Sequence, residues 1–333
     1  MSPQAAAPVF VVSLAVTLTA ARLFARRLDR LGMRFGLPEA VVGLLTALGA
    51  DGPEIASALV ALVRGAHSVG VGVIVGSNIF NLAAMIGLSA LVAGSVALPR
   101  QTLWLEGLTG GAATVIGAAV LLGWLAAIPA LVLLACVLVP YLTLVVRGPR
   151  LLSRVPLARR LTGGLMRALD EHRPRDRVRA TFPDPARHLV GLIVLDLALI
   201  IGGSVGMVQA ALTLGDHWHI SRPVLGMLIL APLTSVPNAV TALRLGLARR
   251  GSALVGETFN SNTLNLVAGV ALPALFVSLT GLSGTEKADL GWLAGVTAVT
   301  LLLLGPARGM RRAGATVVVG LYLAFVAFEL AAV

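Results

Sequence analysis

Gly76-Ser77-Asn78-Ile79-Phe80-Asn81 sits inside a long apolar run, and Asn260-Ser261-Asn262-Thr263-Leu264-Asn265 sits inside another, 184 residues further on. Upstream of each hexapeptide stands a proline followed by a polar residue, Pro53-Glu54 and Pro237-Asn238. Adding 184 carries Pro53 onto Pro237, Gly72 onto Gly256, Ser77 onto Ser261, Asn78 onto Asn262 and Asn81 onto Asn265 without a gap. Each copy places a proline and a row of amides in sequence apolar enough to cross a bilayer. Hydrocarbon tolerates such residues only where they face protein or a water-filled cavity. Two interrupted polar helix pairs at matching places in two halves of a chain are the sequence mark of a transport site.

Composition sets the class. Of 333 residues 57% are hydrophobic and 12% charged, where soluble domains carry about 25% charged residues. The mean hydropathy is +0.92. An integral membrane protein is expected. The single cysteine, Cys136, lies in an apolar run, so neither an intrachain disulfide framework nor a Cys/His metal cluster is available. The net charge of +11 comes from 25 arginines and one lysine, Lys287. They fall in short loops between apolar segments, so membrane topology accounts for them and nucleic acid is not an expected partner. The apolar stretch Val9–Ala21 lacks the basic flank of a signal peptide and reads as a first transmembrane helix.

A spanning helix needs about 20 mostly apolar residues. Ten such segments are predicted, at 6-24, 37-64, 68-94, 103-122, 125-146, 188-212, 222-247, 252-279, 288-305 and 314-332. Five precede a polar loop at 147-187 and five follow it. Arginines concentrate in alternate connections: Arg22 to Arg34, Arg100, eleven between Arg147 and Arg187, Arg249 with Arg250, and Arg308 to Arg312. The other connections hold Arg64, Arg222 and Lys287. By the positive-inside rule both termini lie outside and the 147-187 loop in the cytoplasm, as suits a prokaryotic inner membrane. Because five is odd, the second half enters the membrane inverted. The expected fold is therefore an all-α membrane protein of ten transmembrane helices in two inverted five-helix repeats, 1-146 and 188-333, with the duplicated motifs in 37-94 and 221-279. A short amphipathic helix is expected at 151-169, and anionic lipid or a regulator is a conceivable partner for this basic loop.

Chemistry concentrates at the duplicated segments. Gly49-Ala50-Asp51-Gly52-Pro53-Glu54 should break or kink its span and free carbonyls near Ala47 and Leu48. Asp51 and Glu54 are three apart on one helix face, and two carboxylates in mid-membrane require a cation or protons. Pro232-Leu233-Thr234-Ser235-Val236-Pro237-Asn238 repeats the break, with hydroxyls from Thr234 and Ser235 and an amide oxygen from Asn238. Ser77, Asn81, Ser261 and Asn265 add oxygens, while interhelical hydrogen bonding is the expected role of Asn78 and Asn262. Glu257 precedes Ser261 by four residues and Asn265 by eight, on about the same face. It is either a third carboxylate near the site or a partner for Arg249 or Arg250. An oxygen-rich set without thiolate or imidazole suits a hard cation such as Ca2+ or Na+. Elsewhere, Asp196 could snorkel, Glu106 and Glu329 lie near span ends, and His67, His217 and His219 read as solvated loop residues.

These two segments resemble the alpha repeats of the calcium/cation antiporter superfamily, which includes the sodium/calcium exchangers. The resemblance rests on Gly76-Ser77-Asn78-Ile79-Phe80-Asn81, on Pro53-Glu54 and on Thr234-Ser235 with Pro237, and it extends to the five-plus-five layout. It implies a secondary antiporter that needs no cofactor and transports Ca2+ against Na+ or H+, with monomers sufficient for transport. It further implies central cation ligands at Glu54, Asn81, Asn238 and Asn265, joined by Thr234 and Ser235. The chain departs from the pattern at Asn238, where the second glutamate is expected, at Asn260, where glycine is expected, and at Asp51, where serine is usual. The carboxylates are thus gathered in the first half, and they balance one divalent ion, two sodium ions or two protons. That charge count argues against three sodium ions per calcium. Exchange of Ca2+ against Na+ is the expected function, with cation/proton exchange through Asp51 and Glu54 as the alternative. An intramembrane enzyme lacks support, because no Ser-His or Cys-His pair and no HExxH motif occurs in the spans. A channel or cation sensor would not be driven by a counter-ion gradient.

Overall fold

Small residues decide how the first helix is held. In the computed structural model, which describes residues 1–35, 47–152, 186–305 and 309–331, helix α1 (Pro3–Arg34) runs antiparallel along α6 (Ala186–Trp218). Ala6 packs near Ala210 and Leu214, and Ala20 and Ala21 pack on Ile200. Between them Gly203 and Gly206 admit Thr17 and Ser13, since a Cβ on Gly203 would lie 2.2 Å from the Thr17 hydroxyl. Close approach at small residues is the usual basis of helix association where lipid removes the hydrophobic driving force. At one end Arg27 pairs with Asp196 at 2.5 Å and also donates to the Leu192 carbonyl at 3.2 Å. Asp196 is 1% exposed, so it is a buried ion-pair partner and does not snorkel as its sequence position suggests.

The remaining helices are α2 (Gly52–Val63), α3 (His67–Ala93), α4 (Arg100–Leu121), α5 (Ala127–Leu152), α7 (Arg222–Leu247), α8 (Gly251–Leu266), α9 (Gly284–Leu304) and α10 (Arg312–Ala331). Of the most apolar window of α3, 94% is buried, against 17% for α1 and 22% for α6. The core therefore forms around α3, and α1 with α6 lies at its edge with most of its surface exposed. Gly76 makes the crossing of α3 and α7 possible: a Cβ there would lie 2.6 Å from Met227 Cα and 2.7 Å from its carbonyl oxygen. Gly226 approaches the Val69 carbonyl in the same way, at 2.5 Å for an added Cβ.

Eight of these helices are long and apolar enough to cross a membrane. The expected spans 37-64 and 252-279 fall short of that length among the described residues. The first retains helix at 47–50 and α2, its start lying outside the described residues. The second ends as regular helix at Leu266 and continues as a π turn at Val267–Ala271 and a 3-10 turn at Pro273–Leu275. A similar π turn at Leu82–Leu88 follows Asn81 in α3, starting 185 residues earlier, and a third occupies Leu225–Leu230 in α7. Such turns insert an extra residue and re-aim the side chains beside them, often at functional sites. A two-stranded ribbon also departs from the all-α expectation. Strands β1 (Ser95–Ala97) and β2 (Gly309–Arg311) pair antiparallel, joining the α3–α4 connection to the α9–α10 connection. Gly309 has φ +139°, and a Cβ there would meet the Val96 carbonyl at 2.1 Å. Most of the loop at 147-187, including the bulk of the amphipathic helix expected at 151-169, lies outside the described residues.

Candidate cation site

Pro53 sits in the first turn of α2, where a missing N–H costs nothing, and this fixes the helix start beside two acids. Asp51 occupies the N-cap position without capping, its side chain turned away from its own helix. Glu54 lies in the first turn. Both benefit from the positive end of the helix dipole. The break is smaller than the sequence suggests: the Ala47 carbonyl is not freed but accepts from Asp51 N–H at 2.9 Å. Likewise Pro237 does not interrupt α7, which continues as α-helix from Ala231 to Leu247, and the irregular turn lies upstream at Leu225–Leu230. Proline at 237 removes one hydrogen bond, and the packed core absorbs the loss without unwinding the helix.

Asp51 and Glu54 are buried, at 1% and 0% exposure, and α7 and α8 close over them. Asn238 Nδ2 donates to Asp51 Oδ1 at 2.8 Å and to Glu54 Oε1 at 3.1 Å, and lies 3.3 Å from Ser261 Oγ. Ser261 Oγ donates to Asp51 Oδ1 at 2.6 Å. Asn265 Nδ2 donates to Glu54 Oε2 at 2.6 Å and to Asn78 Oδ1 at 3.1 Å. Asn81 Nδ2 donates to Ser261 Oγ at 3.1 Å and Asn262 Oδ1 at 3.2 Å. One connected network thus joins Asp51, Glu54, Asn81, Asn238, Ser261 and Asn265. Asn238 enters it by nitrogen, whereas the sequence led us to expect its oxygen, because its neighbours are two carboxylates that accept only.

Asn78 and Asn262 bond to each other's backbone. Asn78 Nδ2 reaches the Asn262 carbonyl at 3.2 Å and Asn262 Nδ2 reaches the Asn78 carbonyl at 3.0 Å. These two residues are 184 apart, so equivalent positions of the two copies meet reciprocally. Their interhelical role is as expected.

Several oxygens of the network remain without a hydrogen-bond partner: Asp51 Oδ2, Asn81 Oδ1, Asn265 Oδ1, Ser77 Oγ and Ser235 Oγ. The two serine hydroxyls adjoin the Glu54 carboxylate. Buried polar atoms are normally paired, so a cluster of unpaired oxygens beside two acids makes these residues the candidate cation site. Thr234 contributes less than expected: its hydroxyl donates along its own helix, with Leu230 and Ala231 carbonyls at 2.9 and 3.1 Å. Glu257 is half-buried, has Asp51 as its charged neighbour and forms no ion pair with Arg249 or Arg250. Among the described residues no group of three His, Cys, Asp or Glu side chains is placed to hold a metal, so amide and hydroxyl oxygens must complete any cation shell here.

Other buried polar groups escaped the sequence reading or were underrated by it. Glu106 is buried in α4 and accepts twice from the Tyr141 hydroxyl, at 3.2 and 3.1 Å, with Asn260 of α8 beside the same hydroxyl. Asp289 in α9 is fully buried next to Glu329 of α10. Nothing in the spacing of Tyr141 or Asp289 singles them out, because each meets its acid partner only where two consecutive helices pack, α4 on α5 and α9 on α10. His67, His217 and His219 are exposed, as expected.

A nearly all-helical membrane protein with paired acids buried among amide and hydroxyl oxygens belongs to the class of ion transporters. The profile of the family described as sodium/calcium exchanger protein matches residues 5–155 and 188–331, and the chain belongs to that antiporter family. A putative antiporter CaxA from Alkalimonas amylolytica is 27% identical over 276 residues, covering 79% of this chain and 78% of the relative. Among solved structures, the sodium-calcium exchanger NCX_Mj superposes with a TM-score of 0.60 at 19% identity, covering 98% of this chain and 99% of its own. The H+/Ca2+ exchanger CAX superposes with a TM-score of 0.71 at 15% identity, covering 96% of this chain and 81% of its own. At such identities these two likenesses concern the fold. The family is one of transporters rather than enzymes, and its members handle inorganic cations in a membrane.

Proposed function

We propose that this protein exchanges Ca2+, or a related hard cation, against Na+ by alternating access at the Asp51–Glu54 site. The observation that carries the reading is the burial of two carboxylates with no Lys, Arg or His side chain paired to either among the described residues. In a membrane interior two such acids need a compensating cation or protons, and in this reading the compensation is the cargo. Glu54, Asp51, Asn81 and Asn265 are the principal ligands, with Ser77, Ser235 and Ser261 beside them. Unpaired oxygens together with the Glu54 carboxylate approach the six to eight that Ca2+ takes. Asn238 acts on the carboxylates, Thr234 is at most an outlying ligand, and Glu257 stands off the centre towards Asp51.

The architecture we propose is ten spans in two inverted repeats, 1-146 and 188-333, joined through the cytoplasmic loop 147-187 with both termini outside. Family matches to two separate stretches, matching π turns after Asn81 and Asn265, and the reciprocal Asn78–Asn262 bonds all favour a two-fold relation between the halves. In this scheme α2, α3, α7 and α8 hold the ion, and α1 with α6 moves as a clamped pair to expose it alternately to each side.

Exchange against protons is the second reading, favoured by the direct linkage of Asp51 and Glu54 through Asn238 with no fixed cation near. Efflux of radioactive calcium from reconstituted vesicles separates the two. Efflux stimulated by external sodium at clamped pH supports sodium coupling, and efflux that responds to an acid exterior alone transfers the coupling to protons.

A further inference from the structure

The position 184 residues after Glu54 is Asn238, so a two-fold relation between the repeats would place a second carboxylate there. In its place stands a carboxamide whose nitrogen is ringed by oxygen: Asp51 Oδ1 at 2.8 Å, Glu54 Oε1 at 3.1 Å and Ser261 Oγ at 3.3 Å. Two of these oxygens belong to carboxylates, and the amide offers two hydrogens. The substitution therefore changes the site twice. It removes one negative charge, and it fixes the positive end of an amide dipole between the two charges that remain. Asn265 repeats the arrangement on the far side of Glu54, with its nitrogen 2.6 Å from Oε2.

Resting on the antiporter reading above, we infer that the Asn238 amide nitrogen is a tethered replacement for one monovalent cation, and that it makes exchange electroneutral. The ligand shell otherwise consists of neutral amides and hydroxyls, and Glu257 makes no hydrogen bond to it. Two carboxylates are neutralised by one divalent ion in one half of the cycle and by two monovalent ions in the other. Both loaded forms cross with the same charge, and one Ca2+ entering is balanced by two monovalent cations leaving. A third monovalent ion has no free place between Asp51 and Glu54, because Nδ2 of Asn238 fills it, and Glu257 stands off the centre, outside the hydrogen-bonded shell. Asn238 is thus the residue that determines stoichiometry, and it does so without being a cation ligand.

The test uses the full-length protein in proteoliposomes loaded with sodium, with radioactive calcium outside and membrane potential set by potassium and valinomycin. The initial rate of wild-type uptake is expected to be the same at zero, inside-negative and inside-positive potential. Asn238→Asp, nearly isosteric, restores a carboxylate and removes the amide nitrogen. Its uptake is expected to become faster at inside-positive and slower at inside-negative potential, as a third sodium ion leaves per calcium. Wild-type uptake that responds to potential overturns the inference, whether or not the variant folds. So does variant uptake that remains indifferent to potential. Absence of uptake under any sodium or proton gradient overturns the antiporter reading itself, a result distinct from electrogenic exchange.

Discussion

Asn78 and Asn262 are the clearest case of amides serving structure within a site. Each ties its helix to the backbone of the other, and Asn262 also accepts from Asn81 while Asn78 accepts from Asn265. Asn262→Ala removes the donor to the Asn78 carbonyl and an acceptor for Asn81 in a water-poor core. A loss of about 1–3 kcal/mol of stability is expected. It should appear as a lower unfolding temperature in detergent, and an unchanged transition would mean the reciprocal pair contributes nothing. At this scale the sequence was most legible where spacing repeats. The 184-residue register alone brings out Ser77, Ser261, Asn81 and Asn265, and all but Ser77 hydrogen bond within the network. What spacing does not encode is which end of an amide faces inward. Asn238 reads as an oxygen donor until Asp51 and Glu54, from another helix, are seen to demand its nitrogen. The Tyr141–Glu106 and Asp289–Glu329 neighbours are equally invisible, because each arises from two helices packing.

Helices in this protein are held by contacts of two kinds, small-residue seams and buried polar links. The α1–α6 pair uses both. Gly203→Val would place a branched side chain against the Thr17 hydroxyl and the Ser13 carbonyl, the latter only 3.0 Å from the added Cβ. Overpacking of that kind costs about 1–3 kcal/mol. Removal of the Arg27 side chain leaves Asp196 buried without its cation, and about 3 kcal/mol is expected for breaking such a pair, somewhat less here because Arg27 is 19% exposed. If α1 and α6 move as a clamped pair, both variants should slow exchange as well as lower thermal stability. Arg27→Ala with full stability and full exchange would show the link to be incidental. Helix existence was legible from hydropathy, since nearly every expected span coincides with a helix. Helix interruption was not. Glycine and proline announce a break near Asp51 and Asn238, yet α-helix runs on through Pro237, and regular helix gives way instead at π turns whose sequences, Leu82–Leu88 and Val267–Ala271, carry no proline at all.

Across the whole molecule, the charge pattern and the duplicated motif both favour the proposed arrangement of two similar halves that enter the membrane in opposite senses. The orientation can be tested independently of transport. In a Cys136→Ser background, a cysteine at His217 should react with a membrane-impermeant thiol reagent from outside intact cells. A cysteine at Arg100 should react only after the membrane is opened. Labelling of both from the same side would refute the inverted arrangement. The coupling ion, by contrast, is not written in the composition. Two buried carboxylates accept one Ca2+, two Na+ or two protons with equal charge balance, so the pattern of residues fixes the class of cargo before it fixes the partner.

The central claim is that the buried Asp51–Glu54 pair is where the cations exchange. The direct measurement is radioactive calcium uptake into sodium-loaded, pH-clamped proteoliposomes, for the wild type beside Glu54→Gln, with folded protein verified in both. The account predicts gradient-driven uptake by the wild type and its loss in Glu54→Gln, along with loss of the thermal stabilisation that bound calcium gives the wild type. Glu54→Gln with near-normal uptake would contradict it.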